Sequence, residues 1–327
     1  MSRYLIPPVL LGAIALLCVF LWRGTEAFLL AGLLTILEIT LSFDNAVVNA
    51  KVLRGLSDIW QRRFLTWGIV IAVVGTRFVL PVVVVSLAAV VSPYEVLKLV
   101  LFNPDEYARL LSGAHTIIGA FGGAFLLMVS LKYFFDQAKD VHWIAVLEKL
   151  FVSWGRIEAI EIAIALVVLL SVFFLDHRDA HVLISGIVGI VLFICMEGII
   201  NALGGKSQDI ARAGFSAFVY LNVLDAAFSL DGVVAAFALT NSLLIIVVGL
   251  GLGAYFVRTL TVIMVKRHTL ETLRYLEHGA HWAIGGLAFA MFTNLIVHVP
   301  ELVTGLIGLL FVGLAYNSSR LENGRKV

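Results

Sequence analysis

Charged residues are scarce in this chain of 327 residues: only 14% are Asp, Glu, Lys or Arg, whereas 61% are hydrophobic. Soluble domains carry about 25% charged and about 45–50% apolar residues, so this composition excludes an ordinary soluble protein. The mean hydropathy is +1.02. The sequence therefore predicts a polytopic membrane protein that is surrounded by the lipid bilayer.

An excess of one charge sign is also missing, because 23 Lys and Arg residues are balanced by 22 Asp and Glu residues. Without a basic surface to meet phosphate groups, the chain is not expected to bind nucleic acid. Cysteine is almost absent, and Cys18 and Cys195 both lie inside apolar runs. Neither a disulfide framework nor a thiolate metal site is expected.

Long apolar stretches fill most of the chain, and a helix needs about 20 apolar residues to cross the hydrocarbon core. The residues that follow the first stretch do not form a small-residue cleavage site, so an uncleaved helix is expected there rather than a signal peptide. About ten stretches predict an all-α transmembrane helical bundle: 4–22, 27–50, 67–92, 112–135, 158–175, 182–203, 215–238, 243–265, 282–299 and 303–317.

Lysine and arginine are divided unequally between the connections. Four of these residues lie in one set of loops, and two, Arg77 and Arg258, lie within spans. Because positively charged loops stay in the cytoplasm, both termini are predicted to be cytoplasmic in a multi-pass protein of the cytoplasmic (inner) membrane. The other seventeen lie in the N-terminus, 51–66, 132–157, 204–214, 266–281 and the C-terminal tail.

An acidic motif occurs twice in the chain. Three polar residues of 35–48 recur in 222–235 at a constant offset of 187: Glu38 with Asp225, Ser42 with Ser229, and Asp44 with Asp231. The copies begin five spans apart, an odd number, so they are predicted to have opposite polarity in the membrane. Inverted-topology repeats are typical of secondary transporters. The alternative is an old duplication without a role in transport.

The repeat determines the predicted organisation of a single transmembrane domain, 1–327. Spans 2–4 form the first three-helix repeat and spans 7–9 form the second. An interfacial helix and two spans connect the repeats, and a last span and the cytoplasmic tail follow. In chain order these units are 27–135, 136–214, 215–299 and 300–327.

Carboxylates inside a membrane are costly, at roughly 2.5–3.5 kcal/mol for each group at the helix centre. The four acidic residues of the two motifs are therefore expected to face the protein interior or a water-filled cavity. By helical phase, one polar stripe holds Glu38, Ser42, Asn45 and Asn49, and a second stripe repeats it in the other motif. The second stripe consists of Asn222, Asp225, Ser229 and Gly232.

Asp44 and Asp231 are rotated by about 120° from these stripes. Two alternatives are open: either each helix unwinds near Ser42 and Ser229, or the second acidic pair faces a separate partner.

Carboxylate, hydroxyl and amide oxygens without a thiolate form a hard ligand set, which suits Mn²⁺, Mg²⁺ or Ca²⁺ better than Zn²⁺ or Cu⁺. No permanently bound cofactor is expected, and a divalent cation (Mn²⁺ or Ca²⁺) is the predicted transported ligand. Burial favours the protonated form of a carboxyl group, so exchange of the cation for protons is chemically available. The predicted metal ligands are Glu38, Asp44, Asn45, Asp225 and Asp231.

A structural explanation of the same residues is that Glu38–Arg77 and Asp225–Arg258 form ion pairs. Pairing and transport are compatible, since an arginine can occupy the site when the cation leaves. The residues predicted to line the cavity or to gate it are Ser42, Arg77, Glu197, Ser229 and Arg258.

The first motif, Glu38-x-x-x-Ser42-x-Asp44-Asn45-Ala46-Val47-Val48, resembles a signature of the TerC family of integral membrane proteins, and Asp225–Asp231 resembles its second signature. The resemblance runs over roughly 27–300. It implies a fold of the LysE-like transporter superfamily and a role in manganese efflux or tellurium resistance. It also implies a metal site at the four acidic residues, with Asn45 as a neutral ligand.

The expected function is therefore export of a divalent cation, most simply Mn²⁺, by alternating access at a midplane carboxylate site. The alternative is a non-transporting membrane scaffold of a metal or tellurite stress-response complex. An enzyme is not expected, because the chain has no Gly-x-Gly-Asp element, Gly-x-Ser-x-Gly elbow or His-Glu-x-x-His motif. The oligomeric state is left open.

Overall fold

A computed structural model describes residues 2–175, 179–204, 210–240, 242–297 and 299–325. These ranges contain helices and no β-strand, which confirms the all-α prediction. The helices are α1 (Ser2–Leu41), α2 (Phe43–Arg54), α3 (Asp58–Val70), α4 (Leu80–Ala89), α5 (Pro93–Phe102), α6 (Pro104–Gly113), α7 (His115–Phe134), α8 (Ala145–Trp154), α9 (Ile160–Leu175), α10 (Ala180–Gly204), α11 (Ile210–Leu239), α12 (Leu243–Lys266), α13 (Thr269–Thr272), α14 (Leu276–Asn294) and α15 (Glu301–Arg325).

Several of these helices could cross a membrane. Large apolar side chains such as Leu21, Trp67 and Leu87 are exposed, as expected for a surface that faces lipid. The prediction of a membrane protein is thus supported, whereas the count of ten spans and the inverted repeat stay predictions. Within the described ranges, five segments are long and apolar enough to span: Tyr4–Leu41, Asp58–Ala89, His115–Phe134, Ala180–Ile199 and Leu243–Lys266.

The first of these segments folds back on itself at Gly24. This residue has φ 82° and ψ −170°, a conformation that glycine adopts without strain. A Cβ at Gly12 would lie 3.6 Å from the ring of Phe256, and Glu38 packs against Gly253 one turn away on α12. In a straight helix, residues 12 and 38 would be about 39 Å apart. Both arms of α1 therefore pack on α12, and the break falls where the sequence analysis separates its first two stretches.

A π-helical segment, Ile71–Val79, joins α3 to α4 and was not predicted. The Ala72 carbonyl accepts hydrogen bonds from Thr76 Oγ1 at 2.6 Å and from Arg77 Nη1 at 2.7 Å. Short π-helical turns concentrate at functional sites because they re-aim the side chains around them. Here the widened turn carries Arg77, one of the two arginines that the sequence analysis places within spans.

Two charged segments between the long helices are joined by ion pairs on one face of the bundle. Lys51 pairs with Glu277 at 2.5 Å, and Lys266 pairs with Asp58 at 2.6 Å. The segments joined by these ion pairs, 51–66 and 266–281, are both among those predicted to be cytoplasmic. The contacts place these two segments on a common face, and the location of that face in the cytoplasm stays a prediction.

Helix α8 lies in the connection that was predicted to contain an interfacial helix, and Glu148 fastens it to α14. The Glu148 side chain is fully buried, and its carboxylate accepts a hydrogen bond from Trp282 Nε1 at 3.1 Å. His278 Nδ1 lies 2.8 Å and Lys139 Nζ 3.8 Å from the same carboxylate. Burial alone would raise the pKa of Glu148, but the bonds from His278 and Trp282 and the charge of Lys139 hold it at about 2.

We expect Glu148→Gln to destabilise the protein by about 3 kcal/mol near neutral pH, because the native state holds this carboxylate in its ionised form. The folded-state pKa of about 2 lies below the ordinary value of 4.5. The stabilisation is therefore complete above about pH 4.5 and is lost as the pH falls towards 2. Thermal unfolding in detergent between pH 7 and pH 3 tests this, with the exposed Glu158→Gln as the control. A constant difference between the wild type and Glu148→Gln over that range would contradict the prediction.

Candidate functional site

The first acidic motif contains a buried ion pair between α1 and the π-helical segment. The Glu38 carboxylate pairs with the Arg77 guanidinium, and both side chains are almost fully buried. Ser42 Oγ donates a hydrogen bond to the same carboxylate at 3.0 Å. The prediction of an ion pair between Glu38 and Arg77 is confirmed, and Ser42 belongs to the same cluster.

The second motif contains the matching pair. Asp225 of α11 lies 2.9 Å from Arg258 of α12, and both side chains are buried. Arg258 also donates to Asn222 Oδ1 at 3.3 Å, and its guanidinium lies 4.3 Å from the centre of the Phe64 ring. A ring at this distance attracts a cation through its quadrupole. Gly68 leaves the space for this arrangement, because a Cβ there would lie 2.7 Å from Arg258 Nη1.

A direct hydrogen bond joins the two motifs. Asn45 Nδ2 donates to Asp225 Oδ1 at 2.9 Å, across 180 residues of sequence. Both residues are buried, with 1% of Asn45 and 5% of Asp225 exposed. The prediction that the polar stripes face the protein interior is confirmed for both motifs at this contact.

Close packing of α1, α11 and α12 surrounds Glu38. A Cβ at Gly253 of α12 would overlap the Cβ of Glu38, so only glycine allows this approach. A Cβ at Gly232 of α11 would lie 3.4 Å from Glu38 Oε2. Glu38 of the first motif therefore lies beside the backbone of Gly232, which directly follows the second motif.

Asp44 faces a different neighbour. Its carboxylate accepts the backbone N–H of Asn45 at 2.9 Å, and a Cβ at Gly308 of α15 would lie 3.7 Å from its Cγ. Only 3% of Asp44 is exposed, and no lysine or arginine of the described ranges forms an ion pair with it. Helical phase left two alternatives open, unwinding near the serines or a separate partner for the second acidic pair. The position of Asp44 beside α15 agrees with a separate partner.

The helix is interrupted at Ser42 in the first motif, where α1 ends and α2 begins, but not at Ser229 in the second. Ser42 has φ −103° and ψ 15°, and its N–H donates to the Glu38 carbonyl at 3.0 Å. The Ser42 carbonyl accepts from the Ala46 N–H at 3.1 Å, so the interruption is local and both backbone groups of Ser42 stay hydrogen-bonded. Helix α11 continues through Ser229. The side chain of Asp231, a predicted ligand, lies outside the described residues.

Three acceptor oxygens near these pairs have no hydrogen-bond partner among the described protein atoms: Asn45 Oδ1, Asn49 Oδ1 and Ser229 Oγ. Buried polar atoms are normally bonded, so each such oxygen requires an explanation. Amide and hydroxyl oxygens are ligands that hard cations accept. Within the described ranges, however, no three His, Cys, Asp or Glu side chains lie close enough together to hold a metal ion. Both carboxylates of the pairs are committed to arginines instead.

Glu197 does not join this cluster. It pairs with Lys132 at 2.7 Å, and Lys132 lies 3.6 Å from Glu161. About a third of the Glu197 side chain is exposed. This residue therefore belongs to a partly exposed ion network and not to the buried core that holds Glu38 and Asp225.

Sequence reasoning missed the residues that shape the site without carrying charge. Phe64 and Gly68 surround Arg258, and Gly253 admits Glu38. A usable signal was present in α12, where Gly249 and Gly253 lie four residues apart and therefore on one face of a largely apolar helix. Glycines at helical spacing in a membrane segment indicate close helix–helix packing.

A comparison with protein-family models finds one match, to the family DUF475, described as a protein of unknown function, over residues 43–326. The chain belongs to the DUF475 family. No curated protein and no solved structure matches the chain. The assignment to the TerC family is therefore wrong.

The physical reason for that error is that the motif consists of only a few polar residues, which are not specific to one family. Any pair of helices that buries carboxylates in an apolar bundle needs acidic and hydroxyl residues at helical spacing, so the pattern does not distinguish families. The DUF475 match begins at residue 43 and thus excludes Glu38 and Ser42, two of the motif's polar residues.

We expect Gly253→Ala to destabilise the DUF475 protein by about 1–3 kcal/mol, because the new methyl group would overlap Glu38 and force the helices apart. Gly313→Ala on α15 is the matched control, since a Cβ there meets nothing within 4 Å. That variant should be neutral, or more stable by up to about 1 kcal/mol through helix propensity. Thermal unfolding of both in detergent tests the packing, and equal stability of the two variants would contradict it.

Proposed function

We propose that this DUF475 protein is a membrane transporter that carries a hard divalent cation between its two acidic motifs. The supporting observation is the hydrogen bond between Asn45 and Asp225, which joins the motifs inside an apolar bundle. Ionisable groups at membrane depth are costly and are retained mainly at functional sites. The proposed ligands are Asp225, Asn45, Glu38 and Asp44, and Asp231 is carried over from the sequence analysis.

The arginines give the proposed transporter a cation-free state. Without a bound ion, Arg77 neutralises Glu38 and Arg258 neutralises Asp225. An unpaired buried carboxylate would be strongly destabilising, so an empty site needs such internal counter-ions. When a cation enters, it takes over the carboxylate oxygens and the arginines turn to other acceptors. Alternating access then moves the ion past the Asn45–Asp225 contact.

The proposed substrate class follows from the oxygen atoms. Carboxylates, the free amide oxygens of Asn45 and Asn49, and the Ser229 hydroxyl are ligands for Mn²⁺, Mg²⁺ and Ca²⁺. Mn²⁺ is the first ion to test, with Mg²⁺ and Ca²⁺ beside it, because cavity size and ligand number separate these ions. The proposed setting is the cytoplasmic membrane, with export as the direction and exchange for protons as the coupling.

A non-transporting scaffold is the second candidate, and one observation favours it. Both buried carboxylates are already neutralised by an arginine without any cation. A scaffold that uses them only to specify helix packing would need no substrate. In that case, loss of the carboxylate charge at Asp44 would leave function intact.

Ion flux in proteoliposomes decides between these candidates, with Mn²⁺, Mg²⁺ and Ca²⁺ measured in parallel. We expect flux of at least one ion in the wild type and a loss of at least about tenfold in Asp44→Asn and Asp225→Asn, since even a residue that supports a metal ligand is worth about 10–100-fold in affinity. Asp44→Asn is the cleaner variant, because no arginine is left unpaired by it. The exposed Asp140→Asn should transport normally.

Two results would contradict the proposal. Absence of flux for all three ions from correctly folded wild-type protein would favour the scaffold. Undiminished flux in both Asp44→Asn and Asp225→Asn would show that the ion takes a path away from the acidic motifs. Thermal unfolding of each variant separates loss of transport from loss of folding.

A further inference from the structure

A cavity of about 490 Å³ opens between α2, α7, α11 and α14. Its walls include Val48 and Lys51 of α2, Lys132 of α7 and Tyr220 of α11. The same face carries the Lys51–Glu277 ion pair between 51–66 and 266–281. The cavity therefore lies beside the charged connections and not on the lipid-facing surface.

The inner wall of this cavity lies close to the contact between the motifs. Val48 is three residues from Asn45 on α2, about 4.5 Å along the helix axis, and Tyr220 is five residues from Asp225 on α11, about 7.5 Å. Asn49 follows Asn45 by one helical turn on the same face. It is 99% buried, and its Oδ1 has no partner among the described protein atoms. A buried amide oxygen without a protein partner thus lies at the level of the cavity wall on α2, one helical turn from the Asn45–Asp225 bond.

The charged side chains around the cavity carry a small net negative charge. Asp136 and Glu161 line it, and the lining lysines are bound to two further carboxylates, Glu277 at 2.5 Å from Lys51 and Glu197 at 2.7 Å from Lys132. Lys139 Nζ also lies 3.7 Å from the centre of the ring of Tyr133, which lines the cavity, so four carboxylates surround three lysines. Net negative charge in a cleft with low-dielectric walls raises the local concentration of cations.

The lysines are held loosely compared with the buried arginines. The side chain of Lys132 is 49% exposed and that of Lys51 is 41% exposed, whereas those of Arg77 and Arg258 are each 2% exposed. Ion pairs between side chains that are this exposed are weak, so the lysines can release their carboxylates at little cost. Another part of the cavity wall is formed by Tyr133 and His281, whose rings stack with their centres 3.6 Å apart.

We infer that this cavity is a water-filled vestibule that binds a hydrated divalent cation on its way to Asn45 and Asp225. Lys132 is the exchangeable counter-ion that holds Glu161 and Glu197 when no cation is present. Small divalent cations keep several waters when one or two carboxylates bind them, which suits a cavity of this size. The inference rests on the proposed transport function and adds an entrance to it.

Thiol labelling tests the vestibule without requiring transport. Val52→Cys places a thiol on the cavity wall in a Cys18→Ser, Cys195→Ser background, which removes the two exposed native thiols. A membrane-impermeant thiol reagent should label it from one side of sealed vesicles. Val167→Cys on α9 is the control, because Val167 is exposed, is not part of the cavity wall and has only apolar neighbours in sequence. A thiol in lipid does not ionise and should react poorly.

Mn²⁺ should slow the labelling of Val52→Cys about tenfold when its concentration is about nine times its Kd. The double variant Glu161→Gln, Glu197→Gln should still be labelled but should lose most of this protection. Gel filtration establishes that each variant is folded.

Failure to label Val52→Cys in folded protein would show that the cavity is closed to water and would overturn the inference. Labelling that Mn²⁺ leaves unchanged would show a water-filled cavity that binds no cation and would also overturn it. Protection by Mn²⁺ in a protein without flux would support the vestibule and reject transport. Flux without protection would reject the vestibule alone.

Discussion

Two buried carboxylates, each paired with a buried arginine, dictate how the core helices of this protein pack. Glu38 with Arg77 and Asp225 with Arg258 place four charges inside an apolar bundle. Removing one member of such a pair costs about 3–5 kcal/mol, because the other charge is left unpaired. The glycines of α12, the π-helical segment around Arg77 and the aromatic ring of Phe64 are all arranged around these pairs. The packing of these helices therefore depends on where the ion pairs lie.

The two ion pairs have different surroundings. Arg77 lies on the π-helical segment, whereas Arg258 lies on the regular α-helix α12 and stacks on the ring of Phe64. Asp44 has no arginine in the described ranges and packs beside α15. The ion network of Lys132 and Glu197 is by contrast partly exposed.

Much of this core could be predicted from the sequence, because a charged side chain in an apolar span must face the protein interior and find a partner there. The burial of Glu38 and Asp225, their arginine partners and the nearness of Asn45 follow from helical phase and the cost of lone charges. The π-helical turn and the Glu148 cluster could not be predicted, since both depend on contacts between segments distant in sequence. The family assignment failed for a related reason: a motif shared by any buried acidic helix pair carries little family information.

In the proposed transporter, the arginines compete with a cation for the same carboxylates. Titration calorimetry of Mn²⁺ binding to Arg77→Gln in detergent measures this competition, with the exposed Arg23→Gln as control. At an effective dielectric of about 20, a positive charge about 4 Å away is worth about 4 kcal/mol. We therefore expect Arg77→Gln to bind Mn²⁺ at least about tenfold more tightly than the wild type. Unchanged or weaker binding by a folded Arg77→Gln protein would contradict it and leave the pairs with a purely structural role.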